Sequence, residues 1–185
     1  VDPLNKALDV LRVAYPAWRV NVSERDPEQE IRAAMADNLR KVIARCQKDQ
    51  SQENLNELTA ALLSTALIFP AQRPDQQPQN ANANEVHLQF AKARSKDQQK
   101  SYFLAFTDRA QMMKWRQMGC VELDFKDYSE LVLQSQDEGL LIDPYVGANM
   151  FLTRDMLKGL QAQYEIMNGI LTAAADFAEK GEAPF

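Results

Sequence analysis

The sequence predicts an α/β fold, α+β in the broad sense, in which helices cover a mixed sheet of about five strands. Short apolar segments such as SYFLAF (101–106) and CVELDF (120–125) are followed by Thr or Asp and then by helical patterns. The composition, 45% hydrophobic and 25% charged over 185 residues, is that of a globular chain that can bury a core. Apolar periodicity at the two ends adds an N-terminal helical hairpin and a long C-terminal helix.

Two helices are predicted before residue 48. Each begins with Asp followed by Pro, at positions 2–3 and 26–27. Asp there accepts hydrogen bonds from free backbone N–H groups, and Pro fits the first helical position. Apolar residues then recur at helical spacing, from Leu4 to Tyr15 and from Ile31 to Cys46. These two segments form the predicted hairpin.

The middle of the chain predicts a third helix, two strands and a long loop. The helix carries apolar residues from Leu55 to Leu62, and the first strand ends at Pro70, because proline cannot donate to a sheet. The polar segment QRPDQQPQNANANE (72–85) predicts a mobile loop with little burial. A strand at 86–90 and a polar, hairpin-like connection at 91–100 then lead to the strand at 101–106.

After residue 100 a strand–helix pattern repeats. Thr107 and Asp108 follow a strand, and Asp108 has Gln111 three residues later, which is the spacing of a capping box at a helix N-terminus. Asp127 and Glu130 have the same spacing and predict the start of the next helix. Two more short strands and a last helix of ~37 Å follow, at 139–142, 150–152 and from about 155.

Four motifs carry a family resemblance: LTAALLSTALIFPA (58–71), FLAFTDRAQMMKW (103–115), DYSELV (127–132) and GLLIDPYVGANMFLTRDMLKGL (139–160). In this order and spacing they resemble the N-terminal domain of the bacterial enhanced serine sensitivity protein family, SseB. Asp143 stands where the family more often has Asn. The resemblance implies a small α/β domain. The family name records a phenotype and implies no known reaction.

The resemblance divides the chain into three parts. Residues 1–38 form a predicted N-terminal helical extension, residues 39–160 the SseB-like α/β domain, and residues 161–185 a C-terminal helix extension. Larger members of the family carry a second domain beyond the position of Gln161. The two extensions therefore fall outside the resemblance.

The charge balance argues against nucleic acid and membrane as the main partners. Lys and Arg number 21 against 26 Asp and Glu, a net charge of −5, and the basic residues form no run longer than two. No window approaches the ~18 consecutive apolar residues of a membrane helix. No signal peptide is visible either, in a chain that starts at Val1 rather than Met. We therefore expect a cytoplasmic protein.

Cysteine, histidine and glycine patterns predict neither a metal site nor a cofactor. Cys46 and Cys120 are too few and too isolated for a disulfide framework or a zinc site, and His87 is the only histidine. Cys120 begins a strand, whereas a reactive thiol needs a helix N-terminus or nearby cations, so we expect a structural thiol. No glycine motif for phosphate binding occurs. No catalytic residue is predicted.

Two surfaces remain as candidate sites. The first lies where strands end and is a predicted ligand or partner surface: Thr107, Asp108, Lys126, Asp143 and Tyr145. For Thr107 and Asp108 we favour a local role at the helix N-terminus over a role in binding a ligand. The second is a predicted partner face on the last helix, whose members recur every three or four residues: Leu157, Leu160, Tyr164, Met167 and Leu171.

These observations predict a non-enzymatic cytoplasmic interaction module that binds a protein partner or itself as a homo-oligomer. The alternative is a small-molecule-binding or sulfur-transfer-related enzyme domain that uses the C-terminal ends of the strands. A deep polar pocket at the strand ends favours the alternative. A flat apolar patch on the last helix favours the interaction module.

Overall fold

A computed structural model describes residues 26–73, 88–145 and 147–180, with side chains up to residue 175 in the last helix. The described residues from Ala34 onward belong to one compact unit, and residues 26–33 belong to another. The predicted first helix (from Leu4) and His87 lie outside the described residues. So does the loop predicted at 72–85, apart from its first two residues.

The described chain contains five helices and seven strands. The helices are α1 (Pro27–Lys48), α2 (Gln52–Ser64), α3 (Arg109–Trp115), α4 (Phe125–Gln134) and α5 (Arg154–Lys180). The strands are β1 (Leu67–Gln72), β2 (Gln89–Phe90), β3 (Lys92–Arg94), β4 (Ser101–Ala105), β5 (Cys120–Leu123), β6 (Gly139–Ile142) and β7 (Met150–Thr153).

The predicted α+β class is confirmed, with the strands arranged in two small sheets rather than in one. The first sheet has the order β2-β1-β5 and is antiparallel. The second has the order β3-β4-β6-β7, in which β4 and β6 are parallel and the other pairs are antiparallel. The main core lies under α1, α2, α4 and α5, and a smaller core contains Met112 of α3.

β1 continues through Pro70, so the prediction that this proline ends the strand is wrong. Just before it, Ile68 and Phe106 exchange two backbone hydrogen bonds of 2.8 Å, which join β1 to the end of β4. Pro70 has no N–H to donate, so the ladder between β1 and β4 stops there. Ala91 enters the gap: its N–H donates to Pro70 O at 2.9 Å, and its carbonyl accepts from Leu104 N at 3.3 Å.

The chain changes direction at Ala91, because β2 runs antiparallel to β1 while β3 runs antiparallel to β4. The two short strands diverge from Ala91, and we call residues 88–94 the sheet fork. Lys92–Arg94 was predicted to belong to a polar connection and is instead a strand. The reason is that β4 pairs with these residues along its length, which shortens the connection to a tight hairpin after Arg94.

Side-chain caps fix where α3 and α4 begin. Asp108 caps α3 as predicted, since its carboxylate accepts a backbone N–H three residues later at 2.8 Å. At α4 the prediction of Asp127 is wrong: the cap is Asp124, which accepts from Asp127 N at 2.9 Å. A helix that begins at Phe125 places Phe125 and Tyr128 on one face, and both are buried in the main core.

Candidate functional site

Thr107 and Asp143 follow the neighbouring parallel strands β4 and β6. Ala105 pairs with Ile142 in register, and Asp143 N donates to Ala105 O at 3.0 Å. The carboxyl ends of parallel strands meet at one edge of a sheet, which is where open α/β folds bind ligands. The structure therefore brings Thr107, Asp108 and Asp143 to the same edge.

A hydrogen-bonded network connects these residues to α1. Asp143 is 1% exposed, and its carboxylate accepts from Thr107 N at 3.0 Å and from Thr107 Oγ1 at 2.7 Å. Arg40 Nη1 donates to Thr107 Oγ1 at 3.0 Å and to Asp108 Oδ2 at 2.5 Å. Arg40 Nη2 lies 3.5 Å from Asp37 Oδ1. We call these five residues the Arg40 network.

Burial raises the pKa of Asp143 above its ordinary value. The hydrogen bonds from Thr107 and the charge of Arg40 oppose this rise, while the charge of Asp108 adds to it. Among the described residues, no buried side-chain polar atom is left without a hydrogen-bond partner. The Arg40 network is therefore satisfied internally, and a ligand at this edge competes with the guanidinium for the same oxygens.

Arg40 is not among the residues predicted from the sequence. It lies on α1, 67 residues before Thr107, and in the sequence it is one of several charged residues on an amphipathic helix. Its ion pair with Asp37, three residues earlier, resembles an ordinary surface pair. No local signal marks a contact that only the packing of α1 over the strand ends creates.

Tyr145 and Lys126, the other two predicted residues, lie outside the Arg40 network. Tyr145 stacks on Trp115 with ring centroids 6.1 Å apart, and Trp115 stacks on Phe106 at 5.6 Å. The stack runs from buried Phe106 to exposed Tyr145. Lys126 is exposed in the first turn of α4, and within the described ranges its side chain has no hydrogen bond or ion pair with the other predicted residues.

Replacing Asp108 with alanine is expected to lower the free energy of unfolding by about 1–2 kcal/mol, because α3 loses its N-cap and Arg40 loses an ion-pair partner. Urea denaturation measures the change. The matched control is Asp127→Ala, which removes an exposed first-turn carboxylate that caps nothing and should cost less than ~0.5 kcal/mol. Equal losses in the two variants would contradict a capping role for Asp108.

The two cysteines are in different surroundings. Cys46 is buried on α1 in the main core, and burial raises the pKa of its thiol. Cys120 is half-buried at the start of β5, where Arg109 Nη2 donates to its sulfur at 3.4 Å. In the described part of the chain, no group of three or more His, Cys, Asp or Glu residues is arranged to hold a metal ion.

The predicted partner face of α5 divides into two halves. Leu157 and Leu160 are buried in the chain's own core, and the ring of Tyr164 packs against Phe125 with centroids 5.3 Å apart. Met167 and Leu171 are exposed. Ile166 and Ile170 beside them are exposed as well. We call these four residues, Ile166, Met167, Ile170 and Leu171, the apolar end of α5.

α5 is also the longest helix described, at 27 residues. Neither α5 nor any other helix within the described ranges combines the length and apolar character that crossing a membrane requires. Four of the large apolar side chains that α5 exposes lie close together, between residues 166 and 171.

Comparison with known proteins gives one match. A family model described as the SseB protein N-terminal domain matches residues 39–159. None of the curated proteins and none of the solved structures compared with the chain matches it. The matched range contains the sheet fork and, apart from Asp37, the Arg40 network, and it ends before the apolar end of α5.

Proposed function

The chain belongs to the SseB family, and from this premise we propose that it is a non-enzymatic cytoplasmic interaction module that binds a protein partner or a second copy of itself through the apolar end of α5. The family name records a phenotype, so membership brings no known reaction with it. The proposal therefore depends on the surface of this chain.

The observation that carries the proposal is the exposure of the apolar end of α5. Ile170 and Leu171 are each 63% exposed, and Ile166 is 64% exposed. From Glu165 to Ala175 every side chain is exposed except the half-buried Ala173. A helical segment of this length is marginally stable in water without packing. Large apolar side chains on such a segment are typical of a surface that a partner covers.

The charge pattern of α5 is compatible with a second helix on this surface. Between Lys158 and Asp176 the sequence has one charged residue, Glu165. Gly169 lies on the same stretch and lets another backbone approach closely. Two copies of α5, or α5 and a partner helix, can therefore pack without opposed like charges. This supports binding of a helix rather than of a charged ligand.

The small-molecule alternative has weaker support. Its predicted surface at the strand ends is occupied by the Arg40 guanidinium, which donates to Thr107 and Asp108. Asp143 is buried behind Thr107. Tyr145 and Lys126 are the members of that surface whose exposed side chains remain available to contact a ligand.

A photo-crosslinking amino acid at position 171, introduced into the chain in its source cells, tests the proposal. We expect a discrete crosslinked product, which is a dimer of this chain or a complex with one other protein. The same group at position 168 is the matched control, because Asn168 lies about 60° beyond Leu171 on the helix and is polar and exposed.

The substitution Ile170→Glu should remove the crosslinked product, because it places a charge in the centre of the apolar end of α5. Asn168→Glu adds the same charge outside it and should retain the product. The absence of any product from position 171, or a product that Ile170→Glu leaves unchanged, would contradict the proposed function.

A further inference from the structure

A second surface lies at the sheet fork, on different elements from α5. A cleft of about 810 Å³ runs along residues 88–94, between β2 and β3. Apolar and aromatic residues line the cleft: Phe90, Phe103 and Leu131 belong to the main core, Trp115 packs on the smaller core, and Met118 lies nearby. The cleft exists because Pro70 stops the ladder between β1 and β4 and the two sheets separate there.

The hydrogen-bond pattern of β3 turns backbone groups toward this cleft. Leu104 N donates to Ala91 O, and Ser95 N donates to Lys100 O at 2.9 Å, which places the bonded pairs at alternate positions of the β3–β4 ladder. In an antiparallel ladder the residues between bonded pairs direct their N–H and C=O groups to the opposite side. Lys92 and Arg94 are those residues, and their backbone groups face away from β4.

The same reasoning applies to β2. Ala91 N donates to Pro70 O, and Ala71 N donates to Gly119 O at 2.9 Å, away from β2. Phe90 lies opposite Ala71, so its backbone N–H and C=O also face the cleft. Within the described ranges, the cleft-facing backbone N–H and C=O groups of Phe90, Lys92 and Arg94 have no hydrogen-bond partner. The sheet fork thus presents an unpaired strand edge, the kind of edge to which an extended chain adds.

The charged residues around the cleft indicate which kind of extended segment would bind there. Among the residues that the structure describes, Lys92, Arg94 and Arg116 line the cleft and no acidic residue does. Lys92 is engaged with Asp137 at 2.7 Å, whereas Arg94 and Arg116 are exposed without an ion-pair partner among the described residues. The cleft is therefore positively charged although the net charge of the protein is −5, and a positive cleft favours an acidic partner segment.

We propose that the sheet fork binds an extended segment of a protein partner that alternates apolar with acidic residues and adds as a strand to the cleft-facing edge of β3. The peptide backbone pairs with Lys92 and Arg94. Successive side chains of a strand point to opposite faces. The apolar residues of the segment therefore lie on the face of Ala93 and Trp115, and its acidic residues lie on the opposite face, which carries Arg94. The acidic residues pair with Arg94, and Arg116 adds to the positive charge along the cleft.

Panning a phage-displayed library of random dodecapeptides on the full chain, followed by fluorescence polarisation of the selected peptides, tests this proposal. We expect enrichment of peptides that alternate apolar and acidic residues. The double variant Arg94→Glu/Arg116→Glu should weaken their binding by about tenfold or more. Lys158→Glu is the matched charge reversal on α5 and should bind normally, as should Ile170→Glu, so this proposal can fail independently of the α5 interface.

Strand addition is distinguished from charge attraction alone by a second comparison. Arg94→Ala removes the charge, whereas Arg94→Pro also removes the N–H that faces the cleft, so the proline variant should bind more weakly. N-methylation of alternate peptide amides should abolish binding in one register and spare it in the other. No enrichment, enrichment of basic peptides, or equal binding by the alanine and proline variants would overturn the proposal, provided that thermal melts show both variants folded.

Discussion

Replacing Arg154 with alanine is expected to lower the free energy of unfolding by about 2–4 kcal/mol. The guanidinium of this residue, the first of α5, donates to four backbone carbonyls at or just after the end of α4: Val132, Leu133, Ser135 and Asp137, at 2.8–3.0 Å. The last carbonyls of a helix have no partner within it. Without Arg154 these partly buried oxygens lose a cationic donor that also complements the helix dipole.

Two other substitutions serve as comparisons for Arg154→Ala. Arg154→Lys retains the charge but not the planar fork of donors, so its loss should be intermediate. Lys158→Ala removes an exposed cation one turn later, and its effect should be below ~0.5 kcal/mol. Urea denaturation followed by circular dichroism measures all three variants. A loss in Arg154→Ala no larger than that in Lys158→Ala would show that water replaces the guanidinium at these carbonyls.

Arg154 also bears on the proposed function, because it fixes the base of α5. Beyond Arg154 the helix is attached through Leu157 and Leu160 in the core and through Gln161, whose side chain donates to Ser129 Oγ at 3.0 Å. The ring of Tyr164 continues these contacts by packing against Phe125, and the apolar end of α5 begins two residues later. The proximal half of the helix is thus held by the domain, and the distal half is left for a partner.

Much of the fold followed from local patterns in the sequence. Helical spacing of apolar residues predicted α1 and α5 because each helix buries one stripe of side chains in the main core. Asp108 was recognisable as a cap because a carboxylate three residues before a backbone N–H forms a contact within a single turn. The proximity of Thr107 and Asp143 was foreseeable because both follow short apolar strands.

The features that sequence analysis missed depend on contacts between distant segments. Asp124 and Asp127 both have cap chemistry, and the burial of Phe125 decided between them. Pro70 was expected to end a strand because it has no N–H to donate, and the sequence does not show which strand lies beside it. In the structure Pro70 occupies the position in β1 where Ala91, rather than β4, becomes the backbone neighbour, so no N–H is needed there. The sheet fork and the Arg40 network could be found only after the strands were paired.

The substitution Asp143→Ala is expected to cost about 2–4 kcal/mol of unfolding free energy, because it leaves the buried N–H and hydroxyl of Thr107 without their acceptor. It also places alanine at a φ of +48°, a conformation that asparagine and aspartate adopt more readily. Asp143→Asn keeps an acceptor oxygen and suits this backbone, so its loss at neutral pH should be much smaller. Equal losses in the two variants would contradict this account.

The pH dependence of the Asp143→Asn comparison has a defined sign. Burial raises the folded-state pKa of Asp143, so the folded protein binds this proton more tightly than the unfolded chain does. The stability of the wild-type protein relative to Asp143→Asn should therefore be greatest below the unfolded pKa of about 3.9. It should fall as the pH rises through the folded pKa.

Asp137 is a control whose pKa is shifted in the opposite direction from that of Asp143. Burial raises its pKa, but hydrogen bonds from Lys92, Ser101 and Ser135 outweigh burial and hold the pKa below its ordinary value. The stability that this carboxylate contributes is present above the unfolded pKa and is lost as the pH falls through the folded one. Urea denaturation of the wild type, Asp143→Asn and Asp137→Asn from pH 3 to 7 should therefore give difference curves of opposite slope. If the wild type instead gains stability over Asp143→Asn as the pH rises, the charge of Arg40 outweighs burial at Asp143, and the carboxylate is held ionised at the strand ends.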